Sequence, residues 1–240
     1  MGTVALLKAA SDAGVRRFVF ASSGGAIYGH ASRLPTPEGA IARPLSPYGA
    51  AKLAGEGYLG LFGRTFKLSS LALRYSNVYG PFQDGTGEAG LVAITSQRLL
   101  NGQAPEIRGD GTQTRDFVYV ADVVEANLLA LRSRVSGPIN IGTGIETSVQ
   151  TVVGELMAVA AYQGQPSYVA GRPGEVRRTA LQIGRARKAL GWSPQTRLHD
   201  GLQETFSSFR KLAAKGQRLA GGGPAAAAAR SGPGSLEESE

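Results

Sequence analysis

The 240 residues carry 26 Lys and Arg against 18 Asp and Glu, a formal net charge of +8 with both histidines neutral. At 42% hydrophobic residues the chain has apolar material for a core, which excludes disorder throughout, and no stretch approaches the roughly 18 consecutive apolar residues of a membrane helix. The absence of cysteine excludes disulfides, thiolate chemistry and cysteine-ligated zinc, and His30 and His199 alone do not make a metal site, so no metal ligands are assigned. The opening residues have Val4, Leu6, Leu7 and Ala10 at near-helical spacing with Gly14 as a stop. They lack the basic start, long apolar run and cleavage site of a signal peptide, so the expected setting is the cytoplasm.

Arg17-Phe18-Val19-Phe20-Ala21 then reads as a buried strand. Glycines, prolines and polar residues from 22 to 46 predict a long loop, and a loop of that length inside a domain is usually functional. Pro47 at a first turn predicts a helix to about Phe66, and Leu71-Ala72-Leu73-Arg74-Tyr75 a second strand. After a Gly/Pro loop from 77 to about 87, residues 91–100 are helical in pattern, closed by Asn101-Gly102. The stretch 115–120 is strand-like, Asp122 is placed to cap a helix over 123–132, 139–141 forms a short strand, and 149–162 is helical. His199 beside Asp200 reads as the start of a further helix. The tail 221–240, rich in Gly, Ala and Pro, predicts disorder. The pI near 10.0 raises the possibility of a nucleic-acid partner, yet Arg and Lys occur at most in pairs such as Arg16-Arg17 and Arg177-Arg178. No dense basic run with interleaved aromatics is present, so a basic surface or an anion-binding pocket is expected instead.

Chemistry concentrates at Tyr48 and Lys52, four residues apart and therefore on one face of the predicted helix. A tyrosine whose ordinary pKa is about 10 serves as a base at neutral pH only where a nearby cation favours the phenolate, and a lysine one turn away supplies that cation. Tyr-x-x-x-Lys alone is weak, since a surface lysine beside a half-buried tyrosine is the commoner reason for such a pair. Here it stands between Ala21-Ser22-Ser23-Gly24-Gly25-Ala26-Ile27-Tyr28-Gly29 and Leu73-Arg74-Tyr75-Ser76-Asn77-Val78-Tyr79-Gly80-Pro81.

With these three signatures in order, the chain resembles the extended short-chain dehydrogenase/reductases, in particular the NAD-dependent epimerase/dehydratases of nucleotide sugars and most closely their UDP-glucose 4-epimerase type, from Gly2 to about Leu212. The resemblance implies an α/β fold, a partial Rossmann-like doubly wound parallel sheet with a smaller C-terminal substrate-binding lobe drawn mainly from 77–120 and 139–200, within one domain over 1–220. It implies Ser23, Tyr48 and Lys52 as catalytic residues, with Ser22 the alternative serine. NAD would be met by Ser22, Tyr48, Lys52, Tyr75 and Ser76. The nucleotide sugar would be met by Ser23, Asn77, Gly90, Leu91, Arg115, Arg172 and Glu175. Arginine suits a diphosphate because its planar fork grips two oxygens and stays charged. Gly90 departs from the family pattern, which often has asparagine there, so that side-chain contact is lost. Pairing of the helices matching 2–13 and 48–66 implies a homodimer; no nucleic acid or membrane is implied.

The family's Gly-x-x-Gly-x-x-Gly turn, expected near the N-terminus, is absent from it. The chain is therefore expected to lack its N-terminal dinucleotide-binding units, through a misplaced start or gene decay, and as such to bind NAD poorly and turn over little. Gly85-Thr86-Gly87-Glu88-Ala89-Gly90 has a Gly-x-Gly-x-x-Gly spacing, but six residues separate it from the preceding strand, whereas a pyrophosphate turn starts at the strand end. The resemblance implies interconversion of sugar epimers through a transient 4-keto sugar. Dehydratases carry Asp-Glu directly after the active-site serine or threonine, where this chain has Gly24 and Gly25. A reductase, a decarboxylase, or a noncatalytic nucleotide-sugar-binding or dimerisation fragment remain the alternatives.

Overall fold

The computed structural model describes residues 2–85, 90–171, 174 and 176–215. Helix α1 (Gly2–Asp12) buries Leu7 and Ala10, and Gly14 at φ 67° turns the chain out of it. Strand β1 (Phe18–Ser23) runs into the short helix α2 (Gly24–Ile27). That helix corrects the reading of 22–46 as loop throughout: Ser22 and Ser23 belong to a strand end and the two glycines to a helical turn. Helix α3 (Pro47–Thr65) starts where the sequence predicts, with Pro47 in its first turn and the Ser46 hydroxyl accepting the Gly49 N–H at 3.1 Å. Strands β2 (Ser70–Tyr75) and β3 (Asn77–Tyr79) follow, then helix α4 (Leu91–Leu100).

The predicted strand over 115–120 is divided. Strand β4 (Glu106–Arg108) precedes β5 (Thr114–Arg115) and β6 (Phe117–Tyr119). Between the last two lies Asp116, fully buried, whose carboxylate accepts the N–H groups of Thr143, Gly144 and Leu181 and the Thr143 hydroxyl. Satisfying a buried carboxylate pulls the chain out of one continuous ladder, so β5 pairs antiparallel with β8 while β6 pairs parallel with β3. Helix α5 (Val120–Arg132) begins before Asp122, which is not its cap. The Asp122 carboxylate instead accepts the N–H groups of Gln195 and Thr196. Strands β7 (Gly137–Ile141) and β8 (Thr147–Ser148) lead to α6 (Val149–Val159), which stops short of residue 162, with Ala161 at φ 53°. Strand β9 (Ser167–Val169), helix α7 (Gly184–Leu190) and helix α8 (Leu198–Ala214) complete the order.

The main sheet is parallel, in the order β1-β2-β7. Alternation along its strands sends successive side chains to opposite faces. Phe18 and Phe20 pack with Leu7 of α1 and Leu59 and Phe62 of α3. Val19, Leu71, Leu73, Ile139 and Ile141 pack with Val123 and Ala126 of α5 and Ala186 and Leu190 of α7. Helices thus cover both faces, as parallel strands require. Glycine at two positions brings α3 close. A Cβ on Gly55 would lie 2.6 Å from the Phe20 ring, and one on Gly49 2.5 Å from the Ala26 carbonyl oxygen. A second core, with Tyr79, Val92, Phe117, Val152, Leu156, Leu202 and Phe206, joins α4, α6 and α8 to the pair β3-β6.

Candidate active site

The sheet register aligns Ser23 with Tyr75 and Tyr75 with Ile141, so the carboxyl ends of all three strands reach one edge. Crevices at that edge are where parallel α/β sheets bind ligands. Tyr48 and Lys52 lie on the first turns of α3 beside it. Lys52 Nζ donates to the Ala21 carbonyl oxygen at 2.8 Å and stands 5.5 Å from the centroid of the Tyr48 ring, 57% of Tyr48 being exposed. The Lys52 ammonium is thus the cation next to the Tyr48 ring, one helical turn away at the N-terminal end of α3.

The two serines separate cleanly. Ser22 is 3% exposed and its hydroxyl donates to Glu56 at 2.5 Å, while Ser23 is half-buried on the alternate face of the strand. The structure therefore commits the Ser22 side chain to the interior, bonded to Glu56. Gly24 sits where an added Cβ would fall 2.5 Å from Leu181 Cδ1. A side chain there would require Leu181 to shift, whereas one at Gly25 would meet only Asn77 Oδ1, at 3.6 Å.

At the end of β2, the Tyr75 hydroxyl donates to Asn127 at 2.9 Å, and burial pushes this phenol above its ordinary pKa. Ser76 Oγ is buried without a hydrogen-bond partner. Asn77 is exposed, and its Oδ1 lies 3.6 Å from where a Cβ on Gly25 would stand, which brings it over the α2 turn. Gly90 is the residue before α4 and has φ 124°, a conformation that favours glycine, and Leu91 is half-buried behind it. Arg115, in β5, donates to the Thr114 carbonyl at 2.8 Å and to the Arg177 carbonyl at 3.4 Å. Arg172 and Glu175 lie outside the described residues, as does most of the Gly85 to Gly90 segment. A literal Gly57-x-x-Gly60-x-x-Gly63 spacing falls inside α3, with no strand before it to make a phosphate turn. His199 pairs with Glu155 at 2.8 Å in the second core's outer layer, and no group of three or more potential metal ligands occurs among the described residues.

Sequence reasoning passed over Glu56, Arg74, Tyr28 and Asn140, which form a buried polar network beneath the site. Arg74 grips Glu56 with Nη2 at 2.6 Å and Nε at 2.9 Å, both side chains being at most 10% exposed. Burial alone would lower the Arg74 pKa, but its bonds to Glu56 and the Tyr28 hydroxyl outweigh that and raise it. Two signals were available: Glu56 continues the Tyr48, Lys52 stripe by one more turn, and Arg74 is a lone charge in an apolar strand.

A tyrosine and a lysine one helical turn apart, at the carboxyl edge of a parallel sheet and beside a strand-end serine, define the class as a short-chain dehydrogenase/reductase type of α/β protein. The profile of the NAD dependent epimerase/dehydratase family matches residues 1–142, and the chain belongs to that family. It is 44% identical over 207 residues to a putative UDP-glucose 4-epimerase of Methanocaldococcus jannaschii, covering 86% of this chain and 67% of that protein. The UDP-glucose 4-epimerase of Mycolicibacterium smegmatis is 43% identical, with 88% and 67% covered. Among solved structures, the UDP-glucose 4-epimerase of Thermotoga maritima with UDP-glucose superposes with a TM-score of 0.86 at 45% identity, over 88% of this chain and 69% of that one. The Thermus thermophilus UDP-glucose 4-epimerase in complex with NAD gives 0.80 at 40% identity, over 87% and 68%. No helix among the described residues is long and apolar enough to cross a membrane.

Proposed function

We propose that this site is that of an NAD-dependent UDP-hexose 4-epimerase, working as a homodimer in the cytoplasm, with 1–220 as one domain whose substrate lobe comes mainly from 77–120 and 139–200. The observation that carries the reading is Lys52, pinned to the end of β1 beside Ser23 and one turn from Tyr48. The residues present fit the nicotinamide-ribose end of the cofactor: Lys52 offers an ammonium, and Ser76 offers a hydroxyl with no protein partner at the same sheet edge. When bound, NAD supplies reversible hydride acceptance at the sugar carbon.

Tyr48 removes the proton of the sugar 4-hydroxyl at its phenol oxygen and returns it after the sugar has turned over. Lys52 stabilises the phenolate, and the Ser23 hydroxyl orients the sugar oxygen and relays its hydrogen bond. Asn77, Gly90, Leu91 and Arg115, with Arg172 and Glu175, hold the nucleoside diphosphate and so leave the sugar able to present either face. Glycines at 24 and 25, where a dehydratase has its acid pair, remove the group that water elimination needs. Tyr48→Phe tests the reading. In a version lengthened to the full span of the relatives, of which this chain covers about two thirds, conversion of UDP-galactose to UDP-glucose should fall by about 10²- to 10⁴-fold while UDP-sugar affinity, measured by calorimetry, is retained. Unchanged turnover would remove Tyr48 from the mechanism, and UDP binding without NAD binding would select a noncatalytic module instead.

A further inference from the structure

A row of polar side chains crosses the main sheet one register step before its carboxyl edge. Ser22 of β1, Arg74 of β2 and Asn140 of β7 are direct neighbours in the parallel ladder, and none is more than 6% exposed. They point away from the apolar face that carries Val19, Leu71, Leu73, Ile139 and Ile141. Glu56 of α3 closes the row from above: Ser22 Oγ donates to it at 2.5 Å and Arg74 donates from Nη2 and Nε. Arg74 Nη1 donates to the Tyr28 hydroxyl at 2.8 Å, which donates in turn to Asn140 Oδ1 at 2.9 Å. A buried ion pair is poor evidence of stability, because the cost of desolvating both charges rivals their attraction and apolar substitutes often do as well. Its value lies in geometry that an apolar contact does not impose.

The geometry concerns the working pair. Tyr48, Lys52 and Glu56 occupy one stripe of α3 at successive turns. Lys52 bonds to the carbonyl of Ala21 and Glu56 to the hydroxyl of the next residue, Ser22. Adjacent turns of α3 are thereby fastened to adjacent residues of β1, which fixes the rotation and depth of the helix at two points. We propose that Glu56, clamped by Ser22 and Arg74, is a positioning residue that holds Lys52, and with it Tyr48, in register with the strand end that carries Ser23. This rests on the reading of Tyr48 and Lys52 as the working pair.

The test does not require turnover. Limiting acetic anhydride is applied to the folded chain, and acetylation of Lys52 is measured by mass spectrometry relative to Lys211, an exposed lysine of α8. Glu56→Ala should raise that ratio about tenfold, the factor that one net charge-assisted hydrogen bond supplies. Glu56→Gln, which keeps the length and can still bond to Ser22 and Arg74, should restore most of the protection. Ser22→Ala is the milder variant should Glu56→Ala fail to fold, and should give an intermediate rise. Arg17→Ala is the control for simple destabilisation: it removes bonds to Ala130, Ser133 and Val135 at the opposite end of the sheet and should leave the ratio unchanged. In a turnover assay of the version lengthened to the full span of the relatives, Glu56→Ala should lower kcat about tenfold with KM little changed. An unchanged ratio in the folded variants, an equal rise in Arg17→Ala, or a loss confined to KM would overturn the proposal. Because the labelling ratio is read whether or not UDP-sugar turns over, this proposal and the epimerase reading fail separately.

Discussion

Ser22 and Ser23 are chemically identical neighbours that a strand sends to opposite faces, one into a carboxylate and the other towards the sheet edge. Their alanine variants should therefore behave differently. Ser22→Ala should lower stability by about 1 to 2 kcal/mol, since it strips one partner from a buried carboxylate. Ser23→Ala should leave the melting temperature nearly unchanged and lower kcat by about tenfold or more. Reversed behaviour in thermal melts and turnover would exchange the two assignments. Asp116 shows the same economy of single groups, because both its oxygens are filled by donors from Thr143, Gly144 and Leu181. Asp116→Asn would turn an amide N–H towards those donors, and chemical denaturation should report a loss of about 3 kcal/mol or more.

Helix α3 is legible in the sequence because its start is written twice, in the Ser46 cap and in Pro47, and α4 because its apolar period runs unbroken from Leu91 to Leu100. Strands β3, β4, β8 and β9 have two or three residues each, too few for any period to register, and α7 has only seven. The break at Asp116 depends on Thr143 and Leu181, which only the fold brings near. The same holds within the site. Tyr48 and Lys52 stand out through their spacing together with the flanking signatures, whereas the pairing of Glu56 with Arg74 takes shape only when α3 is laid on β2. Two glycines allow a test of how α3 is covered. Gly154 of α6 and Gly57 of α3 are both exposed, with nothing within 4 Å of an added Cβ. Gly154→Ala should stabilise by about 0.5 to 1 kcal/mol, as for any open helix position. Gly57→Ala should match it in a monomer, and should fall short or reverse where α3 packs against a second copy; urea melts at two protein concentrations distinguish these outcomes.

Across the whole molecule, buried phenols set the alkaline limit. Burial first, and then nearby acidic charge, pushes Tyr119 up to about 12, and Tyr28, Tyr75 and Tyr79 are also raised by burial. A phenol held protonated in the folded chain contributes fully below its ordinary 10.0 and loses that contribution as pH rises through the folded value. Stability should therefore fall above about pH 10, and Tyr119→Phe should flatten that fall; an unchanged slope in urea melts at rising pH would exclude Tyr119 as its source. Association is the other property of the whole. Within the described residues β1 pairs only with β2, so its other edge presents unpaired backbone donors and acceptors. Beside it, α5 leaves Val124, Leu128 and Leu131 exposed at helical spacing, 53%, 41% and 51% respectively. A separate exposed set, Leu6 of α1 with Tyr58 and Leu61 of α3, lies on the opposite layer and suits the proposed dimer. The 240-residue chain should accordingly form species larger than a dimer as its concentration rises. Leu128→Lys with Leu131→Lys should reduce those species and leave the dimer, whereas Leu61→Lys should weaken the dimer itself. Light scattering after size exclusion separates the two effects, and a monodisperse dimer from the unsubstituted chain would show that the β1 edge and the α5 face are already covered.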